Sequence, residues 1–279
     1  MMLIGALEIL EVHQSMADAH PPGALHALPE IRQRIDGRRC AFFLDLDGTL
    51  APIAPHPDQL RLPRKTRTTL SRLASRDLVC IVSGRGLEDL RLKVGLDPVY
   101  YAAAHGHRIV GPAGSGIDLE VGTRYEEQLR AAAQELRDRL LSVEGVVLEE
   151  KGLSLSIHYR LVPESKRPVV DRAVADVTLS FPALRLTGGK LVHELRPPGD
   201  WDKGRAVLWL LETLGWEPSG SCPICLGDDL TDEDMFAAVD GWGVAMVVGD
   251  PDRSTRAHYR LRDSDEVVTL LEWFTGRDG

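Results

Sequence analysis

The chain has 279 residues, which is enough for one large domain or two smaller ones. Hydrophobic residues make up 43% of it and charged residues 27%, a composition that excludes a disordered or fibrous protein. The net charge of −9 argues against nucleic acid as a partner, because a phosphate backbone is held mainly by clustered Lys and Arg, whereas a small anionic substrate needs only a few local cations.

The first 35 residues carry weak structural patterns, and residues 1–35 are interpreted as an extension of unknown role. Their start, MMLIGALEILEVHQ, is interrupted by Glu8 and Glu11 and has no basic region before it. We therefore expect no signal peptide there. No run in the chain approaches the ~20 apolar residues that a membrane span needs, so no membrane partner is expected.

Strand and helix patterns alternate between residues 36 and 111. Buried strands are predicted at AFFLDL, LVCIVSG and VYYAAAHG, and a helix at PRKTRTTLSRLASR between the first two. Such alternation favours an α/β fold with a mostly parallel sheet that is covered by helices on both faces. Functional sites in these sheets collect at the carboxyl ends of the strands.

The pattern changes between residues 112 and 192. A helix is predicted at RYEEQLRAAAQELRDRLLSV, with apolar residues at helical spacing, and a second helix at RPVVDRAVADVTL. Short alternating strands are predicted at GVVLEE, LSLSIHYR, ALRL and KLVHELR. This block predicts an inserted α+β domain, with a small antiparallel sheet that has one face covered by the two helices.

The first pattern returns from residue 193 to residue 279. Helices are predicted at KGRAVLWLLETLGW, DEDMFAAV and SDEVVTLLEWF, and strands at PICLGDD and GVAMVVG. Residues 36–111 and 193–279 are therefore expected to form one domain, into which residues 112–192 are inserted.

The four cysteines, Cys40, Cys80, Cys222 and Cys225, are few for this length, which favours a reduced, cytoplasmic protein. Cys222 and Cys225 have the spacing of a zinc or redox pair. No second pair of ligands follows in the sequence, and apolar runs surround the cysteines, so buried core thiols are the favoured interpretation.

Polar residues that can bind a metal ion or a phosphate group lie at the ends of the buried strands or at the starts of the helices after them. These residues are Asp45 and Asp47; Ser83, Gly84 and Arg85; Lys203; and Asp228, Asp229 and Asp232. A carboxylate at the end of a buried strand is costly to desolvate unless a cation meets it. Carboxylates from two strand ends can hold Mg²⁺, while a lysine and a hydroxyl bind phosphate oxygens. The pattern predicts a site that orients a phosphoryl group.

Asp45 is the candidate nucleophile, because a carboxylate can attack phosphorus and form an aspartyl-phosphate that water later hydrolyses. Asp47 is the candidate acid and base: it would protonate the leaving oxygen and then deprotonate the attacking water. Gly48 and Thr49 would let the backbone turn sharply and expose amide N–H groups to phosphate.

DLDGT, SGR, a separated lysine and GDDLTDED, in this order, resemble the four motifs of the haloacid dehalogenase superfamily of Mg²⁺-dependent phosphotransferases. The resemblance implies a Rossmann-like core with a cap domain. It implies that Asp45 and Asp228 bind the metal through their side chains and Asp47 through its backbone carbonyl, with Asp229 and Asp232 supporting the metal site. Ser83, with Gly84 beside it, and Lys203 would bind phosphate.

The inserted domain carries polar residues on one side of two strands. Leu153, Leu155, Ile157 and Tyr159 alternate with Ser154, Ser156, His158 and Arg160, and Lys190, Val192, Glu194 and Arg196 share one side of KLVHELR. A sheet face with donors and acceptors of both kinds suits a sugar with many hydroxyls, so His158 and Arg160 are candidate sugar-binding residues.

Several stretches together resemble trehalose-6-phosphate phosphatases. They are LDLDGTLAPIAPHPD, SGR, AHG, EEKG followed by SLSIHYR, HELRP, WDKGRA and GDDLTDEDMF. The resemblance implies sugar-binding roles for Glu149, Lys151 and Glu194. Ala104 stands before His105 where the family usually has a glycine or an acidic residue. The expected activity is hydrolysis of trehalose 6-phosphate by a monomer that needs Mg²⁺.

Simpler interpretations remain open at this point. The aspartates and Ser83 can be helix caps or turn residues, Lys203 a solvated lysine, and Glu149 with Lys151 an exposed charged turn. His105, His107 and His158 can be structural hydrogen-bonding residues, and Arg160 and Arg196 scaffold ion pairs. The alternative activities are phosphatase action on another glycosyl phosphate, such as sucrose phosphate or a mannosyl or glucosyl glycerate phosphate, a non-catalytic phosphosugar sensor, and a nucleic-acid end phosphatase, which the acidic charge disfavours.

Overall fold

A computed structural model of the chain describes residues 20–189, 191–199, 201–249 and 254–277. The chain divides into two compact units, Met1–Ile81 with Val207–Gly279, and Val82–Ala206. The helices are α1 (Leu28–Ile35), α2 (Arg64–Ala74), α3 (Leu87–Val94), α4 (Glu126–Leu140), α5 (Arg167–Ser180), α6 (Lys203–Thr213), α7 (Glu233–Ala238) and α8 (Ser264–Thr275). The strands are β1 (Arg39–Leu44), β2 (Leu78–Val82), β3 (Tyr100–Ala103), β4 (Arg108–Val110), β5 (Asp118–Glu120), β6 (Val147–Glu150), β7 (Leu155–His158), β8 (Arg185–Gly189), β9 (Val192–Arg196), β10 (Ser221–Gly227), β11 (Val244–Val248) and β12 (Tyr259–Leu261).

The first unit is built on a parallel sheet in the order β12, β11, β10, β1, β2. Its central strands are continuous apolar runs because helices cover such sheets, and every residue of β10 is buried. Leu44 at the end of β1 lies opposite Leu226 of β10 and Ile81 of β2. The carboxyl ends of β1 and β10 therefore meet at one edge of the sheet.

The N-terminal part of the first unit is more ordered than its sequence pattern predicts. Gly23 bridges Arg260 of β12, and α1 buries Ile31 and Ile35. The expectation of weak structure is wrong for residues 20–35, because α1 is eight residues long and offers too few apolar positions for a visible period. Residues 1–19 lie outside the described residues.

The second unit contains a four-stranded antiparallel sheet in the order β6, β7, β9, β8. Helices α4 and α5 bury their apolar faces in one cluster with Leu155, Ile157 and Leu195 of this sheet. The apolar face predicted for α4 is confirmed, since Leu129, Ala132, Leu136 and Leu140 are buried and Tyr125 packs against the same cluster. The predicted α/β class with a second, small antiparallel sheet is confirmed. The domain boundaries at residues 112 and 192 stay a prediction.

The strand predicted at VYYAAAHG is β3, and it forms an antiparallel meander with β4 and β5. The sequence analysis did not predict β4, β5 or α3; β4 and β5 are only three residues long. Helix α3 follows β2 after a short loop.

The four cysteines are free and buried, which confirms them as core thiols. Cys222 and Cys225 both lie in β10, and burial raises the pKa of each thiol. Among the described residues, no helix combines the length and the apolar character that crossing a membrane requires.

Candidate active site

Asp45 and Asp228 follow two paired strands of the first unit. Asp45 comes directly after β1 and is 5% exposed, and Asp228 comes directly after β10. Because β1 and β10 are parallel and in register at Leu44 and Leu226, the two aspartates emerge at the same sheet edge. Thr49 Oγ1 donates a hydrogen bond to Asp228 Oδ1 at 3.2 Å, which orients that carboxylate.

Asp232 organises the loop after β10 from a fully buried position. Its Oδ2 accepts the backbone N–H of Asp228 and of Asp229, each at 3.0 Å, and its side chain is part of a capping box with Asp229. Asp229 itself is exposed, and its Oδ1 accepts the N–H of Leu230 at 2.7 Å. The two residues thus differ in their contacts: Asp232 binds the backbone of the loop after β10, and Asp229 caps the turn that follows.

Asp45, Asp228 and Asp232 bring one carboxylate oxygen each to within 4.8 Å of one another. Oxygen donors at this separation fit a hard divalent cation such as Mg²⁺. The resemblance implied only a supporting role for Asp232, but its side chain belongs to this group of three carboxylates. Asp47, whose backbone carbonyl was predicted to bind the metal, lies in the turn after β1 and is partly exposed.

Gly48 allows the turn to approach Asp228. Its φ is +88°, a left-handed conformation that residues with a Cβ rarely adopt. A Cβ at this position would lie 2.2 Å from Asp228 Oδ2. The glycine in DLDGT is therefore required both by the backbone conformation and by the lack of space beside the Asp228 carboxylate.

Ser83, Gly84 and Arg85 form a short loop in the second unit, directly after β2. Ser83 is buried, and its Oγ accepts the N–H of Arg85 at 3.2 Å. Arg85 is also buried and forms an ion pair of 2.5 Å with Asp89 of α3, which in turn lies 3.8 Å from Lys93. The sequence analysis predicted Arg85 beside the site, but it did not predict the ion pair with Asp89 of α3.

Lys203 is the first residue of α6 and is only 3% exposed. Asp202 Oδ1 accepts the N–H of Arg205 at 2.8 Å and so caps the start of this helix. The interpretation of Lys203 as a solvated lysine is wrong, since its side chain is taken out of water. A buried ammonium group at the start of a helix suits the binding of phosphate oxygens.

Glu149, Ser156 and Glu194 form one row across the antiparallel sheet. Glu149 of β6 pairs with Ser156 of β7, which pairs with Glu194 of β9. Lys151 Nζ donates to Ser156 Oγ at 2.8 Å and lies 3.6 Å from Glu149 Oε2 and from Glu194 Oε1. The structure thus joins Glu149, Lys151 and Glu194, three of the five predicted sugar-binding residues, in one network with two carboxylates around one ammonium group.

The charges of this row are set by its neighbours. Burial alone would raise the pKa of Glu194, but His105, Lys151 and Arg196 hold it well below its usual range. Burial likewise opposes ionisation of Glu149, whose pKa is nevertheless lowered by His158 and Lys151. Both carboxylates are therefore charged at neutral pH and are strong hydrogen-bond acceptors for hydroxyl groups.

The remaining predicted residues of this face differ in their placement. His158 Nε2 lies 2.9 Å from Glu149 Oε2 and belongs to the network. Arg160 follows β7 in a turn and is exposed. Lys190 lies outside the described residues. His105 and Arg196, which were not among the predicted sugar-binding residues, both contact Glu194, and only proximity in three dimensions reveals this.

Comparison with known proteins adds independent information. The profile of the trehalose-phosphatase family matches residues 43–265. The chain is 35% identical over 262 residues to trehalose-phosphate phosphatase B of Arabidopsis thaliana, covering 90% of this chain and 70% of that one. It is 39% identical over 257 residues to the trehalose-phosphate phosphatase of Mycobacterium bovis, covering 90% of this chain and 65% of that one. The C-terminal domain of C. albicans trehalose-6-phosphate phosphatase shares the fold, with a TM-score of 0.73 and 23% identity over 93% of this chain and 99% of that one.

Proposed function

Since the chain belongs to the trehalose-phosphatase family of phosphatases, we propose that it hydrolyses trehalose 6-phosphate to trehalose and inorganic phosphate in a Mg²⁺-dependent reaction. The observation that supports the chemistry most strongly is the convergence of Asp45, which follows β1, with Asp228 and Asp232, which follow β10. Bound among these oxygens, Mg²⁺ would supply positive charge that neutralises and orients the phosphoryl group.

Asp45 is the nucleophile in this proposal. A carboxylate oxygen of Asp45 attacks phosphorus and forms an aspartyl-phosphate, while the bond between phosphorus and the sugar oxygen breaks. Asp47 gives its proton to that departing oxygen. It then takes a proton from water, which attacks the same phosphorus and releases phosphate from Asp45. Asp47 is two residues after Asp45 and is the more exposed of the two carboxylates. Exposure suits a residue that exchanges a proton with water.

Ser83, Gly84 and Lys203 bind the remaining phosphate oxygens in this proposal. The burial of Ser83 and Lys203 supports it, because a hydroxyl and an ammonium group removed from water interact strongly with an anion. Positioning and charge stabilisation of this kind provide most of the rate enhancement in phosphoryl transfer.

Residues 112–192 form the cap in this proposal, and the row in the antiparallel sheet binds the sugar. Glu149 and Glu194 accept hydrogen bonds from sugar hydroxyls, and Lys151 donates to sugar oxygens. Two charged acceptors on either side of one donor suit a polyhydroxylated ligand, because each sugar hydroxyl both donates and accepts. His158 orients Glu149, and Arg160 extends the polar face beyond β7.

A panel of phosphate esters tests the proposal. Phosphate release is measured from trehalose 6-phosphate, sucrose 6-phosphate, glucose 6-phosphate, a glucosyl glycerate phosphate and p-nitrophenyl phosphate, with Mg²⁺ and with excess EDTA. We expect the highest kcat/KM on trehalose 6-phosphate and loss of turnover in EDTA that Mg²⁺ restores. A higher kcat/KM on another sugar phosphate would reassign the substrate. Binding without turnover of any ester would show a phosphosugar sensor instead.

A further inference from the structure

His105 lies in a backbone conformation that needs support from its surroundings. Ala104, His105 and Gly106 have φ values of 47°, 55° and 89°, three left-handed residues in succession, of which only the last is a glycine. Left-handed residues with a Cβ are strained, and they persist where the surrounding structure fixes them. Such positions concentrate at functional sites, so the side chain that this turn presents is of interest.

The surrounding structure fixes this turn from both sides. His105 N–H donates to the carbonyl of Ser83 at 2.9 Å, and Ala104 N–H donates to that of Arg85 at 2.7 Å. The indole Nε1 of Trp201 donates to the carbonyl of Gly106 at 2.7 Å. The turn is thus attached to the loop that carries Ser83 and to the segment that precedes Lys203.

The ring of His105 joins the Ser83 loop to the sugar-binding row. Its Nε2 lies 2.8 Å from an Nη of Arg196 and 3.1 Å from Glu194 Oε2. A Cβ on Gly84 would lie 2.6 Å from the same Nε2, so the ring also packs directly against this loop. Arg196 in turn donates through Nε to Glu194 Oε2 at 2.7 Å.

The hydrogen-bonding role of this ring follows from its partners. Nε2 lies within hydrogen-bonding distance of two partners of opposite kind: it can accept from the guanidinium of Arg196 at 2.8 Å or donate to Glu194 Oε2 at 3.1 Å. The pKa of His105 is lowered to about 4 by burial, which keeps the ring neutral at pH 7. Nε2 thus contacts both members of the Arg196–Glu194 pair, in which Arg196 donates to one oxygen of Glu194. Ser156 donates to the other oxygen at 3.2 Å.

We propose that His105 is a positioning residue for sugar recognition: its Nε2 fixes the Arg196–Glu194 pair, and its ring ties the sugar-binding row to the Ser83 loop. This inference rests on the proposed function. It assigns to the turn a role in selecting a phosphosugar over a simple phosphate ester. In this proposal His105 acts on the sugar through Arg196 and Glu194.

Replacement by two amides tests this role. The amide of glutamine reaches the place of Nε2, whereas that of asparagine reaches only the place of Nδ1. Asparagine, however, tolerates a left-handed backbone better than glutamine. A purely structural role therefore predicts that His105→Asn performs better, and the positioning role predicts that His105→Gln does.

The measurements are KM and kcat for trehalose 6-phosphate and kcat/KM for p-nitrophenyl phosphate. We expect His105→Asn to raise KM for trehalose 6-phosphate at least tenfold and to lower kcat/KM for p-nitrophenyl phosphate by a much smaller factor. His105→Gln should recover most of the loss in KM. In a Glu194→Gln background the Asn substitution should add less than twofold, because the residue that it positions has already changed. The proposal would be overturned if the Asn and Gln variants had equal KM values, or if the Asn variant lost equally on both esters. It would also be overturned if the effects of the two substitutions in the double variant were independent.

Two further measurements keep the test decisive. If His105→Asn does not fold, Arg196→Gln replaces it, and the same unequal effect on the two esters is expected; equal effects would overturn the proposal. If the wild-type chain prefers another sugar phosphate, the proposed substrate fails, but the comparison of Asn with Gln is made on that ester and still decides the role of His105.

Discussion

The carboxylate of Asp232 accepts the backbone N–H of Asp228 at 3.0 Å, from a position that is completely buried. Because Asp232 binds the backbone that carries Asp228, the proposed metal ligand, it fixes the direction in which the Asp228 carboxylate points. The aspartates of GDDLTDED thus have different contacts. Asp229 caps the turn at Leu230, and Asp232 fixes the loop that carries Asp228.

Asp232→Asn and Asp232→Ala should therefore differ in metal affinity. Asparagine keeps an oxygen that can accept both N–H groups but loses the charge, whereas alanine leaves the two N–H groups unpaired. We expect the Mg²⁺ concentration for half-maximal activity to rise roughly 10-fold for Asn and about 100-fold or more for Ala. Titration of activity with Mg²⁺ checks the values, with Asp229→Asn as the exposed control, for which a smaller change is expected. Equal values for Asn and Ala would contradict the role of the backbone contacts.

Gly48→Ala should abolish activity, because the new Cβ would lie 2.2 Å from Asp228 Oδ2. Gly37 provides a matched control: its φ is +69°, and a Cβ there would meet nothing within 4 Å. Both substitutions impose a left-handed alanine, which costs about 1–2 kcal/mol of stability. We expect only Gly48→Ala to lose more than about 100-fold in kcat/KM. Urea unfolding and phosphate release measure the two effects separately, and comparable activity in both variants would refute the argument from close approach.

Strand ends were predictable because buried parallel strands appear in the sequence as continuous apolar runs. The positions of Asp45 and Asp228 at one sheet edge follow from two such runs, AFFLDL and PICLGDD, and from the parallel order. The polar row was also visible, since period-two alternation places Ser156 and Glu194 opposite the apolar face.

Features that depend on tertiary contacts were not predictable. Helix α3 was missed because Lys93 is buried there beside Leu90 and Val94, so polarity does not mark the exposed face. The contact between His105 and Glu194 joins distant segments, and the left-handed turn that makes it possible contains a single glycine. Sequence patterns report periodicity and local propensity, and neither of these encodes such a contact.

Asp45→Asn should remove turnover while the fold persists. The amide is a poor nucleophile, so we expect kcat to fall by at least about a thousandfold on every ester, including p-nitrophenyl phosphate. Calorimetric binding of trehalose should stay within a few-fold of wild type, because the sugar-binding row is unchanged. Turnover that persists in the purified variant would rule out the covalent step.

Glu149→Ala should instead discriminate between substrates. We expect kcat/KM for trehalose 6-phosphate to fall 10- to 100-fold, since a charged hydrogen bond to a sugar hydroxyl contributes about 1.5–3 kcal/mol, with a much smaller loss on p-nitrophenyl phosphate. Glu150→Ala is the matched control: Glu150 is the adjacent residue of β6, it is exposed, and it pairs with Arg137 on the surface. Equal losses on the two esters would remove Glu149 from sugar recognition.

The buried imidazole of His105 should make stability depend on pH in the mildly acidic range. Burial lowers the pKa of His105 from 6.5 to about 4. Between these two pH values the unfolded chain binds a proton at this ring and the folded chain does not. The resulting stabilisation is fully present above pH 6.5 and is lost as the pH falls towards 4. Between pH 7.5 and 5 this difference amounts to about 2 kcal/mol. His105→Gln lacks the titration, so its free energy of unfolding in urea should fall by about 2 kcal/mol less than that of wild type over the same interval. Parallel pH profiles for the two proteins would show that the ring of His105 is not held neutral in the fold.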